Sequence, residues 1–162
     1  MGRRDTWQRG YRTIAKRALS NTLQQGSEMR RIVIDTNCLL AILPSASPYH
    51  KVWTDFIGNK LEICVSNEIL MEYEEILSQK TSSFFADAII KALINRKNLI
   101  RVSPTWRFSL ITQDPDDNKF ADCAVAGQAE ILVSNDKHFI ALNRIDFPSI
   151  RLLSIQEFAA ML

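Results

Sequence analysis

The chain has 162 residues, 46% hydrophobic and 23% charged, with 20 Lys and Arg against 18 Asp and Glu for a formal net charge of +2. That length suits one compact domain with a substantial core, and no apolar stretch approaches the roughly 20 residues a bilayer helix needs, so a membrane-spanning class is excluded. Three cysteines, Cys38, Cys64 and Cys123, are widely spaced and set in apolar runs, which argues against a disulfide framework or a zinc site and implies a reducing, cytoplasmic setting.

The charge is unevenly placed. Residues 1–28 hold Arg3, Arg4, Arg9, Arg12, Lys16 and Arg17 against Asp5 and Glu28, a net of +4, while the other 134 residues hold 14 basic against 16 acidic, a net of −2. This basic arm has helical periodicity, with Trp7, Tyr11, Ile14, Ala15, Ala18, Leu19 and Leu23 at three- and four-residue spacing, and Gln24-Gln25-Gly26-Ser27 ends it. It reads as a helix docked on the domain or a partner; a nucleic-acid contact, a dispensable segment and an organellar presequence are the competing readings. The domain proper is expected over residues 29–162.

From Met29 strands and helices alternate. Ile32–Asp35 reads as a buried strand, Cys38–Leu43 as a helix interrupted by Pro44 and Pro48, Tyr49–Ile57 as a helix and Leu61–Val65 as a second strand. Ser66 or Asn67 then caps a helix to about Gln79, followed by a helix over Ser83–Arg96, a strand at Leu99–Val102 and an irregular stretch over 103–113. Phe120–Gly127 is a helix, Ile131–Ser134 a strand, Lys137–Leu142 a short helix, Ile150–Leu153 a last strand and Ile155–Leu162 a last helix. Strands separated by helices imply an α/β fold with a parallel sheet of four or five strands and right-handed crossovers.

Four acids stand where strand-like runs give way to loop or helix, or on the helix after one: Asp35, Glu72, Asp117 and Asp136. In open α/β sheets the ligand crevice lies at the carboxyl ends of the strands, where acids from distant parts of the chain converge. Each has a plainer reading. Asp35, Asp136 and any acid of Asp114-Pro115-Asp116-Asp117 can be an N-cap or turn residue. Glu72 can be a solvated helix edge together with Glu68, Glu74 and Glu75. Geometry bears on Glu72: at about 100° per residue it lies some 40° from the arc of Ile69, Leu70, Tyr73, Ile76 and Leu77, with Glu68 and Glu75 farther away. Three acids in four residues at 114–117 also crowd like charge, which calls for a compensating cation.

Taken in order, Ile32-Val33-Ile34-Asp35-Thr36-Asn37, Ser66-x-x-Ile69-x-x-Glu72, Asp114-x-Asp116-Asp117-Asn118-x-Phe120-x-Asp122-x-Ala124 and Leu132-Val133-Ser134-Asn135-Asp136-Lys137 resemble the PIN domain. The Asp-Pro-Asp-Asp-Asn run and the strand after it resemble, more narrowly, the PIN-family toxins of toxin–antitoxin pairs. The resemblance covers residues 31 to about 158. It implies a PIN-like fold and a metal-dependent ribonuclease whose catalytic quartet is Asp35, Glu72, Asp117 and Asp136, with Asp35, Asp117 and Asp136 holding Mg²⁺ or Mn²⁺. Asn37 and Ser134 match polar positions beside the first and last acids. Asp116 and Asp122 are further acids of uncertain role, Asp122 standing where many relatives are apolar. RNA as substrate, an antitoxin protein as partner and a homodimer complete what the resemblance implies.

Clustered carboxylates repel unless a divalent cation neutralises them, and such an ion can polarise a phosphodiester and help generate a hydroxide nucleophile. Water-mediated attack would leave 5′-phosphate and 3′-hydroxyl ends. Of the two histidines, His50 and His138, neither sits in a pattern for a histidine acid–base pair, and His138 reads as a surface or helix-start residue. No Gly-rich phosphate loop is present among five glycines. A phosphotransfer protein with Asp35 as nucleophile and a non-catalytic PIN-like module binding RNA or protein are the alternatives, the latter expected to have lost one of the acids. With a domain net of −2, RNA would be met by local groups, for which Lys119, Lys137, Arg144 and Arg151 are candidates. Truncation before Met29 is expected to leave a folded core; loss of the cooperative unfolding transition in the truncated protein would make the arm part of that core.

Overall fold

The computed structural model describes residues 29–146 and 149–162, so the expected arm helix lies outside the described residues. Strands β1 (Arg30–Ile34), β2 (Leu61–Val65), β3 (Leu99–Arg101), β4 (Ile131–Val133) and β5 (Arg151–Leu153) form one sheet in the order β3-β2-β1-β4-β5. Every pairing is parallel, as expected for strands joined through helices. Ile32, Val33, Ile34, Ile131, Leu132 and Val133 have no exposed surface, the continuous apolar reading of strands covered on both faces.

The winding reverses at the centre. From β1 the chain passes outward to β2 and β3, then returns to β4 on the other side of β1. The β1–β4 boundary is therefore the topological switch point, where parallel sheets open a crevice beyond their carboxyl ends. Register pairs Ile34 with Val133, and Asp35 extends the ladder by donating its N–H to the Val133 carbonyl at 3.0 Å. Asp35 and Ser134 thus leave the sheet side by side.

The helices are α1 (Thr36–Ile42), α2 (His50–Ile57), α3 (Asn67–Lys80), α4 (Ser83–Ile94), α5 (Asn118–Ala126) and α6 (Ile155–Ala160), with 3₁₀ turns at Pro115–Asp117 and Lys137–Arg144. Caps explain where several start. Asp35 accepts the Cys38 N–H at 2.7 Å, so α1 begins two residues earlier than apolar periodicity suggests. Ser66 and Ser82 accept the N–H groups of Ile69 and Phe85 and open α3 and α4 in the same way. The segment after Asp136 winds as a 3₁₀ helix through Arg144, longer than the short helix expected to Leu142. Among the described residues no helix is long and apolar enough to cross a membrane, and all three cysteines are free and buried.

Helix α5 packs on β1, β2 and β4 through small residues, with Ala121, Cys123 and Ala124 buried. This close approach continues to Gly127, the residue after the helix. Its φ of −86° is open to any residue, but a Cβ there would stand 2.6 Å from Cys64 Sγ and 3.1 Å from the Cys123 carbonyl. Gly127 is required for space. Gly127→Ala is expected to destabilise the fold by about 1–3 kcal/mol, read from the urea midpoint. The same change in a Cys64→Ala background should cost clearly less; equal costs would place the conflict away from Cys64.

Candidate metal-binding acid site

Asp35 is 5% exposed at the end of β1. Each of its oxygens accepts one hydrogen bond, from the Cys38 N–H and from the Ser134 hydroxyl. Burial pushes its carboxyl up, the Ser134 and Cys38 hydrogen bonds pull it back, and the neighbouring Asp136 pushes it further up. Ser134 Oγ also accepts the Asp136 N–H at 3.0 Å, so one buried hydroxyl ties the acid after β1 to the acid after β4. Asp136 in turn accepts the His138 N–H at 2.9 Å and caps the 3₁₀ helix.

Asp117 arrives from another direction, at the junction of the 115–117 turn and α5. Its Oδ2 is buried without a hydrogen-bond partner. Its carboxyl is pushed up to about 6, first by burial and then by Asp114 and Asp136; His138 lowers it, and Asp35 adds a smaller upward push. Four carboxylates from three chain segments therefore act on one another here. His138 Nδ1, also buried and unpartnered, lies 3.3 Å from Asp136 Oδ1, 3.7 Å from Asp117 Oδ2 and 4.0 Å from Asp114 Oδ2.

Glu72 reaches the rim of this cluster from α3. One oxygen accepts the Thr36 hydroxyl, adjacent to Asp35, and the other lies 3.0 Å from Lys119 Nζ, two residues past Asp117. Below it, the buried Tyr73 hydroxyl donates to the Ile34 carbonyl and fixes α3 against the end of β1. Glu72 is half-buried, while Glu68, Glu74 and Glu75 are exposed, so the helix-edge alternative does not describe Glu72.

Other sequence expectations fare differently. Asn37 is exposed. Asp116 is also exposed and meets Lys119 only at 3.9 Å. Asp122 is buried and turned away, accepting the Phe108 N–H at 3.1 Å. Lys119, expected to be available to RNA, is instead held between Glu72 and Asp116.

His138 is the helix-start residue expected, the second of the 137–144 helix, but it is half-buried in the cluster and not a surface residue. Asp114, counted in the sequence only among the crowded acids of 114–117 and not as a ligand, has a side chain that joins those of Asp117 and His138 with ligand atoms within 4.8 Å of one another. The available signal was the Asp114-x-x-Asp117 spacing, since residues three apart eclipse in a 3₁₀ turn.

A family model for the PIN domain matches residues 31–138. The chain belongs to the PIN domain family. PIN domains are nucleases as a family, and the matched span contains Asp35, Glu72, Asp117 and Asp136. Among solved structures, a chain of VapBC2 from Rickettsia felis bound to a DNA fragment from their promoter aligns with a TM-score of 0.55 at 17% identity, over 76% of this chain and 98% of that one. A chain of FitAB bound to an IR36 DNA fragment aligns with a TM-score of 0.50 at 12% identity, over 76% and 94%. At these identities the likeness is one of fold. No curated protein matches the chain.

The donor set of this PIN domain fits a hard divalent cation. A buried carboxylate oxygen without a donor is a position a cation satisfies, and acid-dominated sites suit Mg²⁺ and Mn²⁺. Without one, the raised Asp117 carboxyl has a consequence for stability. Its folded value of about 6 lies above the ordinary 3.8, so the folded chain holds this proton more tightly than the unfolded chain, and this contribution to stability is lost as pH rises from about 4 through about 6. In EDTA at pH 7, Asp117→Asn is expected to be about 1–2 kcal/mol more stable than the parent, allowing for residual solvent screening, with the difference vanishing near pH 4. Equal stability at both pH values would show that the charge on Asp117 is already neutralised within the fold.

Proposed function

We propose that this PIN domain is a divalent-metal-dependent endoribonuclease that hydrolyses RNA phosphodiester bonds, and that it is the toxin of a toxin–antitoxin pair. The observation that carries the reading is the unpartnered, buried Asp117 Oδ2 beside Asp35, Asp114 and Asp136 at the sheet's switch point. Asp35, Asp117 and Asp136 are the residues that would hold Mg²⁺ or Mn²⁺. A bound ion would polarise the phosphodiester and lower the pKa of a water molecule.

The chain's own groups supply the rest. Ser134 fixes the orientation of Asp35, and Thr36 with Lys119 fixes Glu72. His138 Nδ1, facing three carboxylates, is placed to offset part of their charge when protonated. Each Asp35 oxygen accepts one hydrogen bond and keeps a second lone pair that a cation would take. Support for a protein partner comes from the Rickettsia felis neighbour, a complex seated on promoter DNA, and from the resemblance of Asp114-Pro115-Asp116-Asp117-Asn118 to PIN-family toxins. Met71 and Phe84, 70% and 87% exposed on α3 and α4, offer apolar surface for an antitoxin or a second copy to cover.

The test is cleavage of single-stranded RNA by purified protein in Mg²⁺, Mn²⁺ and EDTA, with product ends mapped. Wild-type protein should cut only with the ion and leave 5′-phosphate ends. Ser134→Ala should lose roughly 10–100-fold, the usual effect of removing a group that orients a metal ligand. Asp35→Asn and Asp117→Asn should lose at least as much while staying folded, and Glu75→Gln should change little. Cleavage that survives EDTA and leaves 2′,3′-cyclic phosphates would refute metal hydrolysis, and a folded protein inert with either ion would favour the non-catalytic module.

A further inference from the structure

Beside the acid site lies a second feature that the cluster does not use: a cleft of about 430 Å³ between the first turn of α3 and the 102–113 segment. Its size falls in the range of small-molecule clefts, ~300–1,000 Å³. Asp116, Asn118 and Lys119 line it, so it shares a wall with the residues flanking Asp117. Its surface mixes apolar patches from Val102, Pro104 and Pro115 with hydroxyl and amide groups from Ser66, Asn67 and Ser103.

Helix α5 holds the outer wall in place. Asn118 accepts the Ile111 N–H and donates to the Ile111 carbonyl, both at 2.8 Å, and Asp122 accepts the Phe108 N–H. The segment so fixed carries Trp106, 72% exposed, between the lining residues Pro104 and Arg107. Of the three acids that line the cleft, Asp122 is held by the Phe108 N–H, while Glu68 and Asp116 meet Arg107 and Lys119 at 3.4 Å and 3.9 Å and keep negative charge at the cleft wall. A neutral base with donor and acceptor edges suits such an interior better than a phosphate does. The Arg107–Glu68 pair is exposed on both sides and weak, which leaves Arg107 free to exchange its partner for a phosphate.

We propose that this cleft receives one unpaired nucleobase of single-stranded RNA next to the bond to be cut, with the neighbouring base stacked on Trp106 and a backbone phosphate on Arg107. The proposal rests on the ribonuclease reading and names where its substrate selectivity arises. An exposed indole is a platform for unstacked bases, and an exposed guanidinium one residue along the chain can take a backbone phosphate, whereas bases in a duplex are not free to stack on the indole.

Binding of short fluorescein-labelled RNA, single-stranded and as the matching duplex, to the Asp35→Asn protein in Mg²⁺ tests this, with Trp106→Ala and Arg107→Gln added singly. Both side chains are exposed, so neither change threatens the fold. Trp106→Ala should weaken single-strand binding roughly 5–150-fold and leave duplex binding unchanged. Arg107→Gln should reduce the salt slope of single-strand binding by about 0.7. In the otherwise wild-type enzyme both should raise KM with little change in kcat. Unchanged RNA affinity and KM in both variants, with wild type still cleaving, would overturn the cleft and spare the nuclease; equal losses on duplex and single strand would overturn the stacking role. Failure of wild type to bind or cut RNA with either ion would overturn both readings.

Discussion

The hydroxyl of Ser134 is the joint on which the acid site depends. Two neighbouring parallel strands end level with each other, Ile34 beside Val133, and beyond their last ladder bond nothing in the backbone alone would keep their carboxylates in a fixed relation. Ser134 supplies that relation by donating to Asp35 and accepting from the Asp136 N–H. Because Asp35 and Asp136 are themselves the caps of α1 and of the 137–144 helix, the same few atoms set the entry of two further elements. Structural duty and site geometry fall on one set of side chains, which is why the plain N-cap reading of these acids was correct without being sufficient.

The cluster is an electrostatic compromise. Burial and mutual repulsion raise Asp35 and Asp117, and the fold sets the Lys119 ammonium at Glu72 and the His138 ring among Asp114, Asp117 and Asp136. These partners leave the cluster incompletely satisfied, since Asp117 Oδ2 and His138 Nδ1 keep no hydrogen bond. A fold optimised for stability alone would not leave them so; sites that bind an ion or a substrate commonly retain such tension.

Much of this was legible in the sequence because apolar runs and capping residues act locally. The alternation of strands and helices, the parallel sheet and the placement of Asp35 and Asp136 at strand ends all follow from short-range patterning. Helical phase put Glu72 at the edge of the apolar arc but did not by itself separate it from a solvated helix edge. The burial of His138 was not legible, because a histidine two residues after a cap has no periodicity to place it, and that burial comes from Asp114 and Asp117, more than twenty residues earlier. Asp114 was visible as one of three crowded acids, but which of the three would converge depended on the 115–117 turn. Lys119 was misjudged for the opposite reason: its charge is visible in sequence, but the two carboxylates that occupy it come from α3 and from its own preceding turn.

The way α5 grips the 102–113 segment has an evolutionary corollary. Asn118 and Asp122 hold that segment by the backbone groups of Ile111 and Phe108, so the grip does not depend on which side chains the segment displays at Thr105, Trp106 or Arg107. Exchanging those residues would redraw the outer wall of the cleft without loosening it or disturbing the acids behind. A chain built this way can let one surface segment drift in sequence while the sheet and its carboxylates stay under constraint.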